Sequence, residues 1–404
     1  MTATSSQEGR RLRVVILAQN SVLPLDNGAR IRNFQIFRDV AERHDVHLLL
    51  DQVPHRDDLD ELARHGLRPT PLPKPRSRVH AYVAYLGSLL NGAPFDLAVQ
   101  ANPSIRRWLR SNAAGIDVVL TASIGPTLNV PAGLGAPLAI DTHNIEWRRR
   151  ESELSIRRGR SRLVHRLGTL GMRRFELSAM RRSRRVYVCS DREADELRNA
   201  GVGNAVVIPN GVTTTEQPPL PDPTGPLTVA FTGDLGYAPN TSAANWLATE
   251  IAPVLMGRTG CRVVIAGRGA PDSLRRAARA AGVDLRSPVP DMRDVLAETH
   301  VVLVPLLSGG GTRLKILEAF AAGRPVVTTS LGVEGIDAEN GRDVVIADTA
   351  EELVTAAGVL LNDPERRRAV GAAARRLVER EYDWRAIGPR LAADLATLTA
   401  RSRG

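Results

Sequence analysis

Val301-Val-Leu-Val-Pro-Leu-Leu-Ser-Gly-Gly-Gly-Thr-Arg-Leu-Lys-Ile-Leu-Glu-Ala-Phe-Ala-Ala-Gly-Arg-Pro-Val-Val-Thr-Thr-Ser330 is the stretch that decides the fold. Its first four residues, Val301 to Val304, are continuously apolar, as in a strand buried on both faces. Gly309, Gly310 and Gly311 follow, where the backbone can turn tightly and come close to a ligand. Thr312 stands where an N-cap is expected, ahead of the helical spacing Leu314, Leu317, Ala321. Gly323 and Pro325 end that helix, and Val326-Val-Thr-Thr opens another strand.

Strand, glycine loop and helix N-terminus together present free N–H groups and a positive dipole end to an anion. Lys315 and Glu318 lie three residues apart and share one face of the helix. A cation there suits a diphosphate, and a carboxylate beside it suits sugar hydroxyls. The plainer alternative is a βα unit with a glycine-rich turn and a surface Lys–Glu pair, because a glycine loop alone is weak evidence. Composition favours the first reading. Of 54 basic residues only Lys74 and Lys315 are lysines, so an arginine-rich chain keeps a compact point charge here.

The same strand–turn–helix pattern extends in both directions. Val14-Val-Ile-Leu-Ala, a helix over 31–43 and Val46-His-Leu-Leu-Leu read as the βαβ opening of a parallel sheet. Asp117-Val-Val-Leu-Thr, Pro137-Leu-Ala-Ile-Asp, Val186-Tyr-Val-Cys-Ser and Val206-Val-Ile continue the strands. Ser190 and Glu193 form a capping box. His143 directly follows a strand, where ligands bind in open α/β sheets, although an ordinary structural histidine reads the same way. Polar, proline-rich residues 213–226 separate this half from a second one. There Leu227-Thr-Val-Ala-Phe-Thr-Gly-Asp and Arg262-Val-Val-Ile-Ala-Gly-Arg-Gly are strands ending in glycine turns, and a helix is expected from Asn240. A long helical segment, broken near Tyr382-Asp-Trp384, closes the chain.

Length and composition set limits. At 404 residues two domains are expected. Cys189 and Cys261 sit in apolar runs and indicate buried side chains, not a disulfide framework. Residues 1–10 are polar and read as a disordered lead-in without the apolar core of a signal peptide. The cysteine usage fits a reducing, cytoplasmic setting, and no window approaches the length of a spanning helix. The net charge of +10 is concentrated, since residues 148–185 hold 14 arginines against 3 glutamates. That segment, Arg148 to Arg185, is either a salt-paired helical surface or a docking face for an anionic membrane. Nucleic acid is not expected, for want of an aromatic platform or recognised motif. Asp58-Leu-Asp60 matches an Asp-x-Asp metal motif only superficially, since it falls in a solvated helical turn; no metal site is expected.

Taken together these motifs resemble the group 1 glycosyltransferases, retaining enzymes of GT-B fold that use nucleotide sugars. The resemblance rests on Pro24-Leu-Asp-Asn-Gly, Asp141-Thr-His-Asn, Pro209-Asn-Gly-Val, Phe231-Thr-Gly-Asp with Pro239-Asn240, Ala266-Gly-Arg-Gly, Val289-Pro-Asp and Tyr382-Asp-Trp. It is most specific over Ser308–Val327. It implies an α/β architecture of two Rossmann-like, doubly wound parallel-sheet domains facing a cleft. The acceptor domain is expected over 11–212, a linker over 213–226, the donor domain over 227–380, and a helix over 381–404 that crosses back.

By the same resemblance Glu318 holds the ribose, Gly310, Gly311, Thr312 and Lys315 meet the diphosphate, and Gly309 and Arg313 belong to the donor site, with Arg313 or Arg268 adding positive charge. Gly233, Asn240, Gly267 and Arg268 line the donor site, and Val289 lies against the base. Gly28 approaches the donor and His143 contacts the transferred sugar. The implied activity is a metal-independent, retaining transfer from a UDP-, GDP- or TDP-sugar to an unidentified glycan, lipid-linked or small-molecule acceptor, without a cofactor. His143, Lys315 and Glu318 are the expected catalytic residues. Two departures stand out: Gly310 occupies a position where many relatives carry a second glutamate, and Gly233-Asp-Leu-Gly-Tyr replaces an Arg and a Lys after the first donor-domain strand. A nucleotide-sugar epimerase or phosphorylase of the same fold, or a non-catalytic sugar-nucleotide-binding protein, are the alternatives.

Overall fold

The computed structural model describes residues 10–19, 22–25, 28–74, 95–154, 159–215, 217–309 and 313–400. The expected lead-in, and with it Gly310, Gly311 and Thr312, lies largely or wholly outside them.

The chain divides into two compact units, Met1–Ile208 with Ile387–Gly404, and Pro209–Ala386. Sequence alone places these boundaries at 212 and 380. Residues 213–226 fall in the second unit, where buried Arg375 donates to the carbonyls of Thr214 (2.9 Å) and Gln217 (3.0 Å). Arg324 likewise holds the carbonyl of Pro221 at 2.7 Å. Arginines that reach backbone from elsewhere in the fold cannot be read from local composition.

The first unit contains β1 (Arg13–Ala18), β2 (Asp45–Leu50), β3 (Leu67–Pro71), β4 (Val118–Ala122), β5 (Leu138–Asp141), β6 (Arg185–Val188) and β7 (Ala205–Val207), in the order β3-β2-β1-β4-β5-β6-β7. The second contains β8 (Thr228–Thr232), β9 (Arg262–Ala266), β10 (Asp284–Arg286), β11 (Val301–Val304), β12 (Val326–Thr328) and β13 (Val345–Ile346), in the order β10-β9-β8-β11-β12-β13. The strand pairs are parallel. The middles of the central strands are apolar because both faces are covered: Val14, Ile16, Phe231, Ile265 and Val302 have no exposed surface. In each sheet the strand order reverses once, between β1 and β4 and between β8 and β11, and loops at the carboxyl side of such a point form binding sites. These are the two Rossmann-like, doubly wound units that the resemblance implies.

Two strands escape the sequence reading. Both β3 and β10 are sheet edges. Pro69 and Pro71 are tolerated on β3 because an edge strand leaves part of its N–H row unpaired. Short β10, Asp284-Leu-Arg286, carries one apolar residue among charges. The helix expected from Asn240 begins earlier, at Ala238, with Pro239 in its first turn where no N–H is needed. The helix after the glycine loop starts later than expected, at Leu314, with Arg313 and not Thr312 in the cap position.

The last helix, Trp384–Ala400, packs in the first unit from Ile387 onward. Asp394 there accepts a forked pair from Arg185 (2.7 and 3.0 Å) and the hydroxyl of Tyr187 (2.9 Å). Gly388 lies against the carboxylate of Asp39, so close that any β-carbon would overlap it. Asp39 Oδ2 is buried without a hydrogen-bond partner among the described residues. Burial pushes its carboxyl up to about 6, against Arg38 and Arg43 and with help from Glu42. A folded-state value above the ordinary one means that folding binds a proton between about pH 4 and pH 6, so stability falls as pH rises through that window. Asp39→Asn should therefore raise the melting temperature at pH 7.5 more than at pH 4.5, by on the order of 2 kcal/mol in stability. Equal shifts at both pH values in a calorimetric scan would contradict this.

Candidate active site

The site is built where β8, β9 and β11 end. Each is followed by a sequence that cannot continue the strand. After β8 the chain turns at Gly233, whose φ is 151°, and after β9 at Gly267, whose φ is 156°. The turns touch: a β-carbon on Gly267 would overlap the Gly233 carbonyl, so backbone packs directly on backbone. Gly233 N–H donates to the Ala266 carbonyl (3.0 Å), and Leu235 N–H to that of Arg268 (2.8 Å). Asp234, between them, accepts from Arg268 Nε at 3.0 Å and from Gly236 N–H at 3.0 Å.

Into this floor reaches Lys315, from the first turn of helix Leu314–Ala321. Its Nζ donates to Asn240 Oδ1 at 2.6 Å and stands 4.3 Å from the centre of the buried Phe231 ring. Asn240 is itself held, through Nδ2, by the Asp234 carbonyl at 2.8 Å. The amine is also 2.8 Å from where a β-carbon on Gly233 would sit. The absence of a side chain at 233 is what lets the lysine in. Among the described residues no carboxylate comes within ion-pairing distance of the amine, so the surface Lys–Glu pair that spacing allowed does not form. Burial, then the neighbouring Arg313, lower the lysine to about 7, with Glu318 and Asp234 drawing it partly back. Glu318, half-buried one turn further on, is raised by burial and lowered by Lys315.

Arg313 is buried, and its Nη2 donates to the Gly309 carbonyl at 3.0 Å. Val289 packs below the sheet ends against Ala230, Val264 and Ala266. The second unit therefore brings Gly233, Asn240, Gly267, Arg268, Gly309, Arg313 and Lys315 around the carboxyl ends of three strands. Glycine turns, an ammonium, a guanidinium and a carboxylate at a strand-order reversal can hold an anion with a polyol attached.

Comparison with known proteins bears directly on this arrangement. Residues 27–216 match the family model described as Glycosyltransferase Family 4, and residues 226–363 match that described as Glycosyl transferases group 1. The chain belongs to the group 1 glycosyltransferases. It is 32% identical over 162 residues to the GDP-mannose-dependent monoacylated alpha-(1-6)-phosphatidylinositol monomannoside mannosyltransferase of Corynebacterium glutamicum. That match spans 34% of this chain and 39% of the relative. Among solved structures, Anabaena HepE in complex with UDP and glucose superposes with a TM-score of 0.68 at 14% identity, covering 96% of this chain and 100% of that one. Sucrose-phosphate synthase from Thermosynechococcus elongatus gives 0.67 at 16% identity, covering 96% and 100%.

In the first unit of this glycosyltransferase, His143 follows β5 and is half-buried, and its Nδ1 has no hydrogen-bond partner among the described residues. Burial lowers the imidazole to about 4, with Asp141 opposing and Arg32 reinforcing the shift. At neutral pH it is an uncharged ring with a nitrogen to spare. Close by lies a fully buried ion pair, in which Arg32 Nε and Nη2 bind Asp141 Oδ2 and Oδ1 at 3.1 and 2.6 Å. Burial works against the Arg32 charge, and Asp141 with Cys189 and Glu193 together more than offset it. Ser190 caps helix Asp191–Asn199 as expected, accepting from Glu193 N–H.

Sequence reasoning misses Phe231, Asp234 and Arg32. Phe231 reads as an ordinary strand residue and Asp234 as a turn acid. No periodicity could show that Arg32 meets Asp141, 109 residues away. The motif Phe231-Thr-Gly-Asp contains two of the three, and its place at a strand end was the signal that could have assigned them.

Proposed function

We propose that the protein is a metal-independent, retaining glycosyltransferase that moves a sugar from a nucleoside diphosphate to an acceptor. The observation that carries this reading is the placement of Lys315 over Phe231, fixed by Asn240, at the glycine turns of β8 and β9. Its amine takes the place of the cations that the turn after β8 lacks. As the bond to the sugar breaks, charge develops on the diphosphate, and a pre-positioned amine that is charged beside it in a water-poor site stabilises that charge most. Glu318, one turn along the helix, suits the ribose hydroxyls. An oxygen of the diphosphate can take the acceptor proton on the face it leaves, the course of a retaining reaction. The proposed role of His143 is a neutral contact to the transferred sugar; at a value near 4 it is too weak a base at neutral pH to be the main proton acceptor.

A thermal-shift panel of UDP-, GDP- and TDP-sugars tests the reading, because a ligand bound only by the native state raises the melting temperature. GDP-mannose and UDP-glucose belong in it, the first as the sugar nucleotide on which the Corynebacterium relative depends and the second as the ligand of another Anabaena HepE complex. One nucleotide series should shift the transition by several degrees at 100 times its dissociation constant. No shift from any nucleotide sugar would remove the reading. Product analysis without acceptor separates it from an epimerase.

For the arginine segment we propose attachment to an anionic membrane at the cytoplasmic face. Several of its arginines are engaged locally: Arg148 with Glu196, Arg149 with Glu146, and Arg185 with Asp394. On helix Gly159–Arg182, however, Arg166, Arg173 and Arg174 are exposed, and Leu170 among them is 47% exposed. None of the helices among the described residues is long and apolar enough to cross a membrane, so any attachment there is by surface contact. Each basic residue near such a surface contributes about 1 kcal/mol. Arg166→Glu/Arg173→Glu/Arg174→Glu should abolish sedimentation with phosphatidylglycerol vesicles at low salt. Undiminished sedimentation would place the contact elsewhere.

A further inference from the structure

Lys315 occupies surroundings that do not hold a full charge easily. Its polar partner is a neutral amide oxygen, Asn240 Oδ1 at 2.6 Å, and its other neighbour is the Phe231 ring. The charged groups that face it are Arg313 just before its own helix, Glu318 one turn on, and Asp234 at the end of β8. Arg313 repels it. Asp234 is shared with Arg268 and the Gly236 N–H, and Glu318 is not paired with the amine. Two cations thus share one glycine-lined corner without a carboxylate in contact with the lysine. An arginine at 315 would stay charged there at any ordinary pH, whereas a lysine can give up its proton. A mostly arginine chain has a lysine at this position.

The diphosphate of a nucleotide sugar carries two negative charges and no group that titrates near neutrality. Placed at this corner it would cancel the repulsion from Arg313 and replace the water that the ammonium lacks. We propose that the donor is bound together with a proton, taken from solvent onto the Lys315 amine, so that the donor assembles the cation its own transfer needs. The proposal rests on the reading that the donor diphosphate lies at the glycine turns beside Lys315. Its chemical balance is simple: one solvent proton joins the amine lone pair on binding and returns when the nucleotide leaves. In the protein alone the lysine lies at about 7. Above that value donor affinity should fall up to about tenfold per pH unit, until the bound amine itself begins to titrate.

Two lysines make the test direct. Protein labelled with 13C-lysine gives two Cε signals, and Lys74→Arg assigns them. In the protein alone the Lys315 signal should titrate near pH 7, and with saturating UDP-glucose or GDP-mannose, whichever binds, it should hold its charged position to about pH 9. Calorimetry of the same binding at pH 7.5, in phosphate and in Tris, should show uptake of most of one proton. Lys315→Arg that folds should bind without that uptake. A Lys315 signal that titrates near the ordinary value of about 10 in the protein alone, or donor binding with no proton taken up, overturns the proposal while leaving the donor site in place. Failure of every nucleotide sugar to bind, with Lys315 still titrating near neutrality, overturns the donor reading and the proposal with it.

Discussion

Lys315→Ala is expected to lower glycosyl transfer by about 10²-fold or more, the scale of losing one preorganised contact to a developing oxyanion. The loss should fall mainly on turnover. A cation that meets charge developing in the transition state contributes more there than in the bound ground state, so kcat falls further than the donor KM rises. The fold should survive. Lys315 makes no ion pair among the described residues, and its amine is held by one hydrogen bond, to Asn240. Removing a poorly solvated ammonium relieves burial and the Arg313 repulsion, so the melting temperature should stay level or rise. Initial rates at saturating donor, beside a thermal scan, check both halves. Near-normal turnover would end the role given to Lys315, and a sharp fall in melting temperature would make any activity loss uninformative.

That lysine also shows how far sequence reaches. Its strand, loop and helix were legible because each announces itself locally: an apolar run for β11, three glycines, then a spacing of three and four. The central strands β1, β8 and β9 were legible for the same reason, since burial on both faces leaves each with an apolar run and polar residues only at its ends. Edges were not. Pro69 and Pro71 in β3 and the charges of β10 belong to strands whose outer side faces no neighbour, so the apolar signal is absent. Within the site, the residue types and their positions at strand ends could be read, but not their contacts. Lys315 and Asn240 are 75 residues apart, and spacing favoured Glu318 as the lysine's partner. The pairing is decided by the floor that Gly233 leaves open, which exists only once β8 and β11 lie side by side.

The Arg32–Asp141 pair has the largest expected effect on stability. Arg32 is 1% exposed and Asp141 has no exposed surface, and two hydrogen bonds join them across the strand-order reversal of the first unit. Removing one partner leaves the other charge buried without the forked hydrogen bonds that satisfied it, which costs about 3–5 kcal/mol. Asp141→Ala should therefore lower the urea midpoint of the first unit well below that of the parent protein, and Arg32→Ala should do the same. Replacing both, as Arg32→Met/Asp141→Leu, removes the two desolvated charges together and should recover much of the loss. Recovery in the double variant separates a charge effect from mere loss of packing, which would add instead of cancelling. The pair also bears on His143, whose imidazole feels Asp141 and Arg32 in opposite senses. In the double variant burial alone acts on the ring, so it should remain uncharged at neutral pH, and any activity lost there reflects placement, not protonation. Single variants that unfold at the parent midpoint would show that the pair adds no net stability and would overturn this prediction.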